Sequence, residues 1–219
     1  MIDKLLPAPV VTAETFHDAP LTEMFPEERA LVSAAVPLRQ NEFGTVRGCA
    51  RRALAELGIA PAPLLPGPNR EPQWPPGIVG AMTHCAGYRA AAVARATDIR
   101  TVGLDAEPHL PVDDPGVVDL ITLPEERAQL RRLAAAQPGI CWDRLIFSAK
   151  ESVYKAWFPL THRWLDFEEA HLTLDPSNAT FTAQLLVPGP VIDGTELTEF
   201  TGRWLIGSGL VVTAIVEKA

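Results

Sequence analysis

The segment from Cys141 to Trp157 constrains the fold more than any other. Trp142, Leu145, Ile146, Ala149, Val153, Ala156 and Trp157 recur at a helical period, so they form one stripe that must be buried against another layer. The opposite face carries Phe147, Lys150, Glu151, Tyr154 and Lys155. A face turned only to water rarely mixes rings with charges. The wall of a cleft that meets a ligand with apolar and phosphate parts does. Taken alone, Glu151 and Lys155 also fit an i,i+4 ion pair on a solvated face.

Layers for that stripe come from short β-runs. Strands are predicted at Ile78–Thr83, Arg89–Ala96 and Thr101–Ala106 before the helix, and at Ala170–Leu174, Thr180–Leu186, Arg203–Ile206 and Leu210–Val216 after it. Gly207-Ser208-Gly209 reads as a hairpin turn. A second long helix is predicted near Leu38–Leu57, with Phe43, Val46, Ala50, Ala53, Leu54 and Leu57 as its stripe and Gly58 as its stop. Pro26-Glu27-Glu28-Arg29 opens a short helix, and Pro124 with Glu125 and Glu126 opens another over 124–136. Residues 1–26 are Pro-rich and read as an extended surface arm; 61–77 and 108–115 read as loops.

The order is helix then strands, twice over. It predicts an α+β fold of two similar lobes, each a mostly antiparallel sheet packed with a long helix, spanning 1–110 and 111–219, with the active site at their interface. The duplication rests on element order, with no residue-level repeat behind it.

A net charge of −8 argues against general nucleic-acid binding. No apolar run approaches the roughly 20 residues of a membrane helix, and Met1-Ile2-Asp3-Lys4 leads into Pro7 and Pro9 rather than a signal-peptide core. Three widely spaced cysteines, Cys49, Cys85 and Cys141, make neither a disulfide framework nor a metal knuckle. The expectation is a cytoplasmic protein with no membrane and no nucleic-acid partner.

Asp105 and Glu107 stand at i and i+2 at the end of the run Val102-Gly103-Leu104, so they share one face of a strand. Alone, such a pair is an ordinary solvated strand end. Neighbouring carboxylates repel, and a cation removes that cost. Together with Glu151 and Lys155 the pair suggests a Mg²⁺ site handling a phosphate ester. Thr83 and His84 follow a β-run just before a turn, and both can donate to phosphate oxygens. Arg39, Arg47, Arg51 and Arg52 fall on one helix opposed only by Glu42; this is a basic patch suited to phosphate or, by itself, a solvated face.

These strings resemble the 4′-phosphopantetheinyl transferase superfamily, most closely the larger monomeric type that activates siderophore, polyketide and lipid synthases, in its actinobacterial subgroup. The resemblance is carried by Arg39-Gln40-Asn41-Glu42-Phe43, Gly80-Ala81-Met82-Thr83-His84-Cys85, Gly103-Leu104-Asp105-Ala106-Glu107 and the KExxxKA helix Lys150-Glu151-Ser152-Val153-Tyr154-Lys155-Ala156, continued by Arg163-Trp164-Leu165. It implies transfer of the phosphopantetheine arm of coenzyme A to a serine of apo acyl or peptidyl carrier proteins of polyketide, fatty-acid or nonribosomal peptide synthases, releasing adenosine 3′,5′-bisphosphate. It implies that Asp105, Glu107 and Glu151 hold Mg²⁺ (or Mn²⁺), and that Glu151 and Lys155 are catalytic. It further implies that Arg39, Arg47, Arg70, Thr83, His84, Asp105, Lys150, Tyr154 and Lys155 bind coenzyme A. Two departures stand out: Thr83 replaces the more usual serine, and Pro68-Asn69-Arg70-Glu71-Pro72 replaces a Gly-Lys-Pro loop, leaving Arg70 for the lost lysine. Phe147, Tyr154 and Trp164 are expected as an apolar wall, and Val117, Leu120, Ile121 and Leu130 either dock the carrier or belong to the core. A Mg²⁺-dependent nucleotide phosphohydrolase and a non-catalytic binder of coenzyme A or carrier are the alternatives.

Overall fold

The computed structural model describes residues 1–20 and 23–219. In chain order its elements are β1 (Val11–Thr15), α1 (Pro26–Val32), α2 (Pro37–Glu56), β2 (Ile78–Cys85), β3 (Tyr88–Arg95), β4 (Ile99–Pro108), α3 (Pro115–Ile121), α4 (Pro124–Ala136), α5 (Trp142–Thr161), β5 (Ala170–Asp175), β6 (Thr180–Leu185), β7 (Val191–Ile192), β8 (Thr195–Glu196), β9 (Glu199–Gly207) and β10 (Leu210–Lys218). The fold is α+β and the sheets are antiparallel: β1-β3-β2, β4-β10-β9-β6-β5 and the small hairpin β7-β8. The turn from β9 to β10 puts Ser208 at φ 54° and Gly209 at φ 73°, the left-handed pair that a tight hairpin needs. Among the described residues no helix is long and apolar enough to cross a membrane.

Cores form on both sides of each large sheet. The α2 residues Cys49, Ala50, Ala53 and Leu54 pack on Ile78, Ala91 and Val93 of the first sheet. The other face of that sheet, through Ala81, Tyr88, Ala90 and Ala92, joins Val102, Leu104, Ala106, Val212 and Ala214. The α5 stripe covers the remaining face of the second sheet, against Leu172, Phe181, Phe200, Trp204, Val211 and Ile215. The expected surface arm behaves differently: Ile2, Leu5 and Leu6 are buried in the shared core, and β1 completes the first sheet by pairing with β3. Apart from one 3-10 turn at Ile2–Lys4 the segment up to β1 is irregular, but its apolar residues still demand burial. β4, assigned to the first lobe by sequence, hydrogen-bonds to β10 of the second sheet.

A residue-level repeat does exist. Pro-Glu-Glu-Arg-Ala occurs at 26–30 and again at 124–128, opening α1 and α4. The second glutamate of each is fully buried and reaches back to cap its own helix: Glu28 accepts from Phe25 N and Glu126 from Leu123 N. Each also accepts a backbone N–H from a later segment, Leu64 at 2.9 Å and Leu172 at 2.7 Å. Each finally pairs with a cation on the long helix of its half, Arg51 at 2.6 Å and Lys150 at 2.9 Å.

This overturns one site expectation. Lys150 does not join the face of Glu151 and Lys155. Its ammonium is buried and donates to the Phe167 and Ala170 carbonyls at 2.6 and 3.0 Å besides Glu126, which occupies its three protons. One residue is a 100° rotation on a helix, and that step carries Lys150 from the cleft side into the seam with α4 and β5.

The contact that places α5 is its approach to β4. Val102, Leu104 and Ala106 point into the core between the sheets, so Thr101, Gly103, Asp105 and Glu107 point toward α5. The Thr101 hydroxyl donates to the Ala156 carbonyl at 2.9 Å, and Ser148 and Thr213 exchange hydroxyl contacts at 3.0 Å. Gly103 faces Ser152. A Cβ there would run into the Ser152 carbonyl oxygen, and would lie 3.0 Å from its carbon and 3.1 Å from the Ala156 Cβ.

Gly103→Ala is therefore expected to push α5 off the strand and cost at least about 1–3 kcal/mol as overpacking against backbone, read as a lower urea midpoint. Lys150→Met leaves the Glu126 carboxylate buried without its cation and is expected to cost about 3–5 kcal/mol in the same measurement.

Candidate active site

The helix-on-strand contact brings together the acids and the lysine singled out by sequence. Asp105, buried on β4, accepts from the Lys155 ammonium at 2.7 Å through Oδ1. The same oxygen accepts from the Thr83 hydroxyl at 3.3 Å. Lys155 also donates to the Leu104 carbonyl at 3.1 Å. Thr83 in turn accepts from Ala106 N at 3.1 Å, so one hydroxyl spans from β2 to β4, joining the two sheets at the site. Asp105 Oδ2 is buried and has no hydrogen-bond partner among the described residues. Such an orphaned charged oxygen is costly unless something outside the chain meets it.

Glu107 lies two residues on, on the same side, with Arg144 Nη1 of α5 at 3.2 Å from its carboxylate. Burial first, and then Asp105, push its carboxyl up to about 7, with Arg144 and Lys155 opposing. The Glu151 carboxyl is also raised, mainly by burial, with Lys155 lowering and Asp105 raising it. The three acids thus sense one another. Among the described residues no group of three or more His, Cys, Asp or Glu side chains is drawn together closely enough to hold a metal ion as it stands.

A second cluster sits beyond Thr83. His84 Nε2 is 2.7 Å from Arg39 Nη1, so the guanidinium donates and the ring carries its proton on Nδ1, 3.6 Å from Glu42. Burial lowers the pKa of His84; Glu42 opposes, and Arg39, Lys155 and Arg89 add to the lowering. Arg89, directly across the β2–β3 ladder from His84, is buried and reaches Asp18 at 3.1 Å and Glu42 at 3.7 Å.

The basic patch on α2 is largely spent on the fold. Arg47 is buried, donates to the Leu64 and Phe43 carbonyls at 2.7 and 3.4 Å, and stacks on Phe43. Burial pushes its pKa down to about 10, with Glu28 opposing. Arg51 is tied to Glu28. Arg39 remains half exposed, and Arg70 is exposed at φ 69° in the 67–71 turn.

Aromatic rings line the α5 side. Tyr154 lies 5.0 Å from Trp164 and 5.8 Å from Phe158, and Phe147 lies 6.1 Å from Phe167. The Tyr154 phenol is raised by burial, then by Glu151 and by Glu71 of the proline-rich loop, so that loop approaches the same cleft. Ile121 and Leu130 are core, whereas Leu120 and Val117 are exposed.

Arg144 and Arg89 were not singled out by sequence. Arg89 carried a readable signal, a charge in the otherwise apolar run Tyr88–Ala94. Arg144 carried a subtler one, a cation in the first turn of a helix, where the dipole disfavours it.

Comparison with known proteins matches this architecture. Residues 27–94 match the 4′-phosphopantetheinyl transferase N-terminal domain, and residues 101–204 match the 4′-phosphopantetheinyl transferase superfamily. The chain is 57% identical to the 4′-phosphopantetheinyl transferase Svp of Streptomyces mobaraensis, over 100% of this chain and 90% of that protein. It is 48% identical to the 4′-phosphopantetheinyl transferase PptT of Mycobacterium tuberculosis, over 99% and 97% respectively. It is 31% identical to enterobactin synthase component D of Salmonella typhi, over 93% and 82%. The chain belongs to the 4′-phosphopantetheinyl transferase superfamily and is a phosphopantetheinyl-transferring enzyme.

Proposed function

We propose that the chain transfers the 4′-phosphopantetheine arm of coenzyme A to a serine hydroxyl of an apo carrier protein, at the cluster of Asp105, Glu107, Glu151 and Lys155. The orphaned Asp105 Oδ2 carries this reading. A buried carboxylate oxygen without a donor, beside two further carboxyls whose protons are held tightly, fits a divalent cation: the donors are hard oxygens, as Mg²⁺ or Mn²⁺ prefers. Asp105, Glu107 and Glu151 would hold that cation, which would neutralise pyrophosphate charge.

The chain's own groups supply the rest. Glu151 beside a cation is held ionised, as a base must be. It takes the proton as the carrier serine oxygen bonds to the phosphorus that bears pantetheine. The bond from that phosphorus to the adenosine-side phosphate breaks, and adenosine 3′,5′-bisphosphate leaves. Lys155, 2.7 Å from Asp105, stands where a cation can meet charge on the leaving oxygen. His84 offers a hydrogen bond to the phosphates, and Thr83, whose one proton goes to Asp105, could turn it to them once a cation meets that carboxylate. Arg39 and Arg70, both with guanidinium groups open to solvent, supply the adenylate end; Arg47, buried and donating to the Leu64 and Phe43 carbonyls, has no part in it. Tyr154 and Trp164 flank the pantetheine arm. Lys150 has no part in this assignment, its protons being occupied.

The carrier is an acyl or peptidyl carrier domain. A relative named as a component of enterobactin synthase suits a siderophore synthase among the substrates. The enzyme acts as a cytoplasmic monomer, in keeping with the free thiols of Cys49, Cys85 and Cys141.

Incubating enzyme, coenzyme A, Mg²⁺ and apo carrier should raise the carrier mass by one phosphopantetheine. An unmodified carrier rejects the reading, and nucleotide release without carrier points to a phosphohydrolase. Glu151→Gln is expected to lower kcat by about 100-fold or more, as loss of a general base does, with coenzyme A affinity retained in calorimetry. The cation-free protein should also lose stability as pH rises. Glu107 has its ordinary value of 4.5 when unfolded and about 7 when folded, so between those values the folded state binds more protons. Stability then falls with pH, by up to about 3 kcal/mol once both states are ionised. Melting of the metal-free protein at pH 5 and pH 8 should show this fall, and Glu107→Gln should remove that share of it.

A further inference from the structure

Arg144 stands in the first turn of α5, where a positive charge opposes the helix dipole. Its placement therefore needs a reason other than local helix stability, and its contacts supply one. Nη1 donates to Glu107 Oε2 at 3.2 Å. Nε and Nη2 donate to the Leu110 and Pro111 carbonyls, each at 3.1 Å. The neighbouring Asp143 takes Val112 N at 2.8 Å through Oδ2 and Arg144 N at 2.9 Å through Oδ1. The chain leaving β4 is thus fastened to the start of α5 at residues 107, 110, 111 and 112 by two consecutive side chains. The planar fork of an arginine can hold a carboxylate on one edge and carbonyls on another, which the point charge of a lysine cannot.

We propose that Arg144 is a positioning residue for the transfer reaction: it holds the Glu107 carboxylate on the α5 side of the strand end, where it shares a divalent cation with Asp105 and Glu151, and anchors that carboxylate to the 110–112 segment. This rests on the assignment of those three acids to a cation. Two carboxylates at i and i+2 on one strand face repel, so a free Glu107 side chain would turn toward solvent. Arg144 offsets that tendency.

Charge and position predict opposite signs, which makes the role measurable. A guanidinium near a cation site repels the cation, so removing a mere charge would tighten binding. Removing a positioning contact would loosen it. Mn²⁺ binding to the whole protein is followed by electron paramagnetic resonance for the parent, Arg144→Lys and Arg144→Gln, with melting curves alongside. Both variants are expected to bind Mn²⁺ about 10-fold more weakly, the lower range for loss of a contact that orients a ligand. The coenzyme A KM at saturating Mg²⁺ should stay within about twofold of the parent, because the Arg144 nitrogens are engaged by Glu107 and the Leu110 and Pro111 carbonyls. Should Arg144→Lys fold poorly, Arg144→Gln carries the test with the same expectation. Unchanged or tighter Mn²⁺ binding in the folded variants overturns the proposal while leaving the cation site standing. Absence of Mn²⁺ binding by the parent overturns both.

Discussion

Everything at this site depends on how closely α5 lies on β4. Four residues of helix rise about 6 Å and two residues of strand about 6.6 Å, so an antiparallel helix and strand stay nearly in step over several contacts. Thr101 meets Ala156, Gly103 meets Ser152, Asp105 is reached by the long Lys155 side chain from outside that four-residue step, and Glu107 meets Arg144. The first two contacts are structural and the last two are charged. Small residues on both sides, Gly103 on the strand and Ser148, Ser152 and Ala156 on the helix, let the backbones close until the longer side chains beyond them interlock. A single strand thus changes from packing to chemistry along its length, with no change of secondary structure.

That closeness would be of little use if α5 could turn about its axis. The opposite side of the helix is held by Lys150, whose ammonium is locked to Glu126 and two carbonyls. The Lys-Glu dipeptide at 150–151 therefore divides labour between adjacent residues. The lysine sets the rotation of the helix, and the glutamate, one step around, inherits a fixed direction. A buried ion pair of this kind contributes modestly to stability against an apolar alternative, but it defines one geometry, and a site built from Asp105, Glu151 and Lys155 requires one.

Much of this was legible in the sequence. Strong periodicities predicted α2, α4, α5 and the long strands close to their observed limits, except that the first four residues of β9 were missed, because a helical stripe or a strand alternation is a local property. The meeting of Asp105 with Lys155 was legible too, since spacing on a strand or helix fixes which face a residue shares. What failed were inferences needing the identity of the neighbour. Lys150 and Arg47 read as cleft residues because a charged side chain gives no sign that a buried Glu126 or a Leu64 carbonyl awaits it. The N-terminal segment read as a surface arm because prolines mask an apolar set, Ile2, Leu5 and Leu6, whose burial depends on a distant sheet. The repeated Pro-Glu-Glu-Arg-Ala string went unread because five residues recur about a hundred positions apart between halves that otherwise differ.

That repeat explains the architecture in physical terms. In each half a short helix begins with proline and buries its third residue, a glutamate. One carboxylate caps its own helix, takes an N–H from a later segment, and pairs with a cation on the long helix. Each half thus carries the same three-way knot, and the knots hold α2 and α5 each against a sheet. The halves differ where chemistry begins. On α2 the cation is Arg51 and the next residue, Arg52, donates to Cys49; on α5 the cation is Lys150 and the next residue is Glu151, aimed at β4. The second half carries Glu151, the proposed base, and Lys155, while the first carries Arg39 and, from β2, Thr83 and His84. The hydroxyl of Thr83, bonded to both Asp105 and Ala106, is the point at which the two copies become one site.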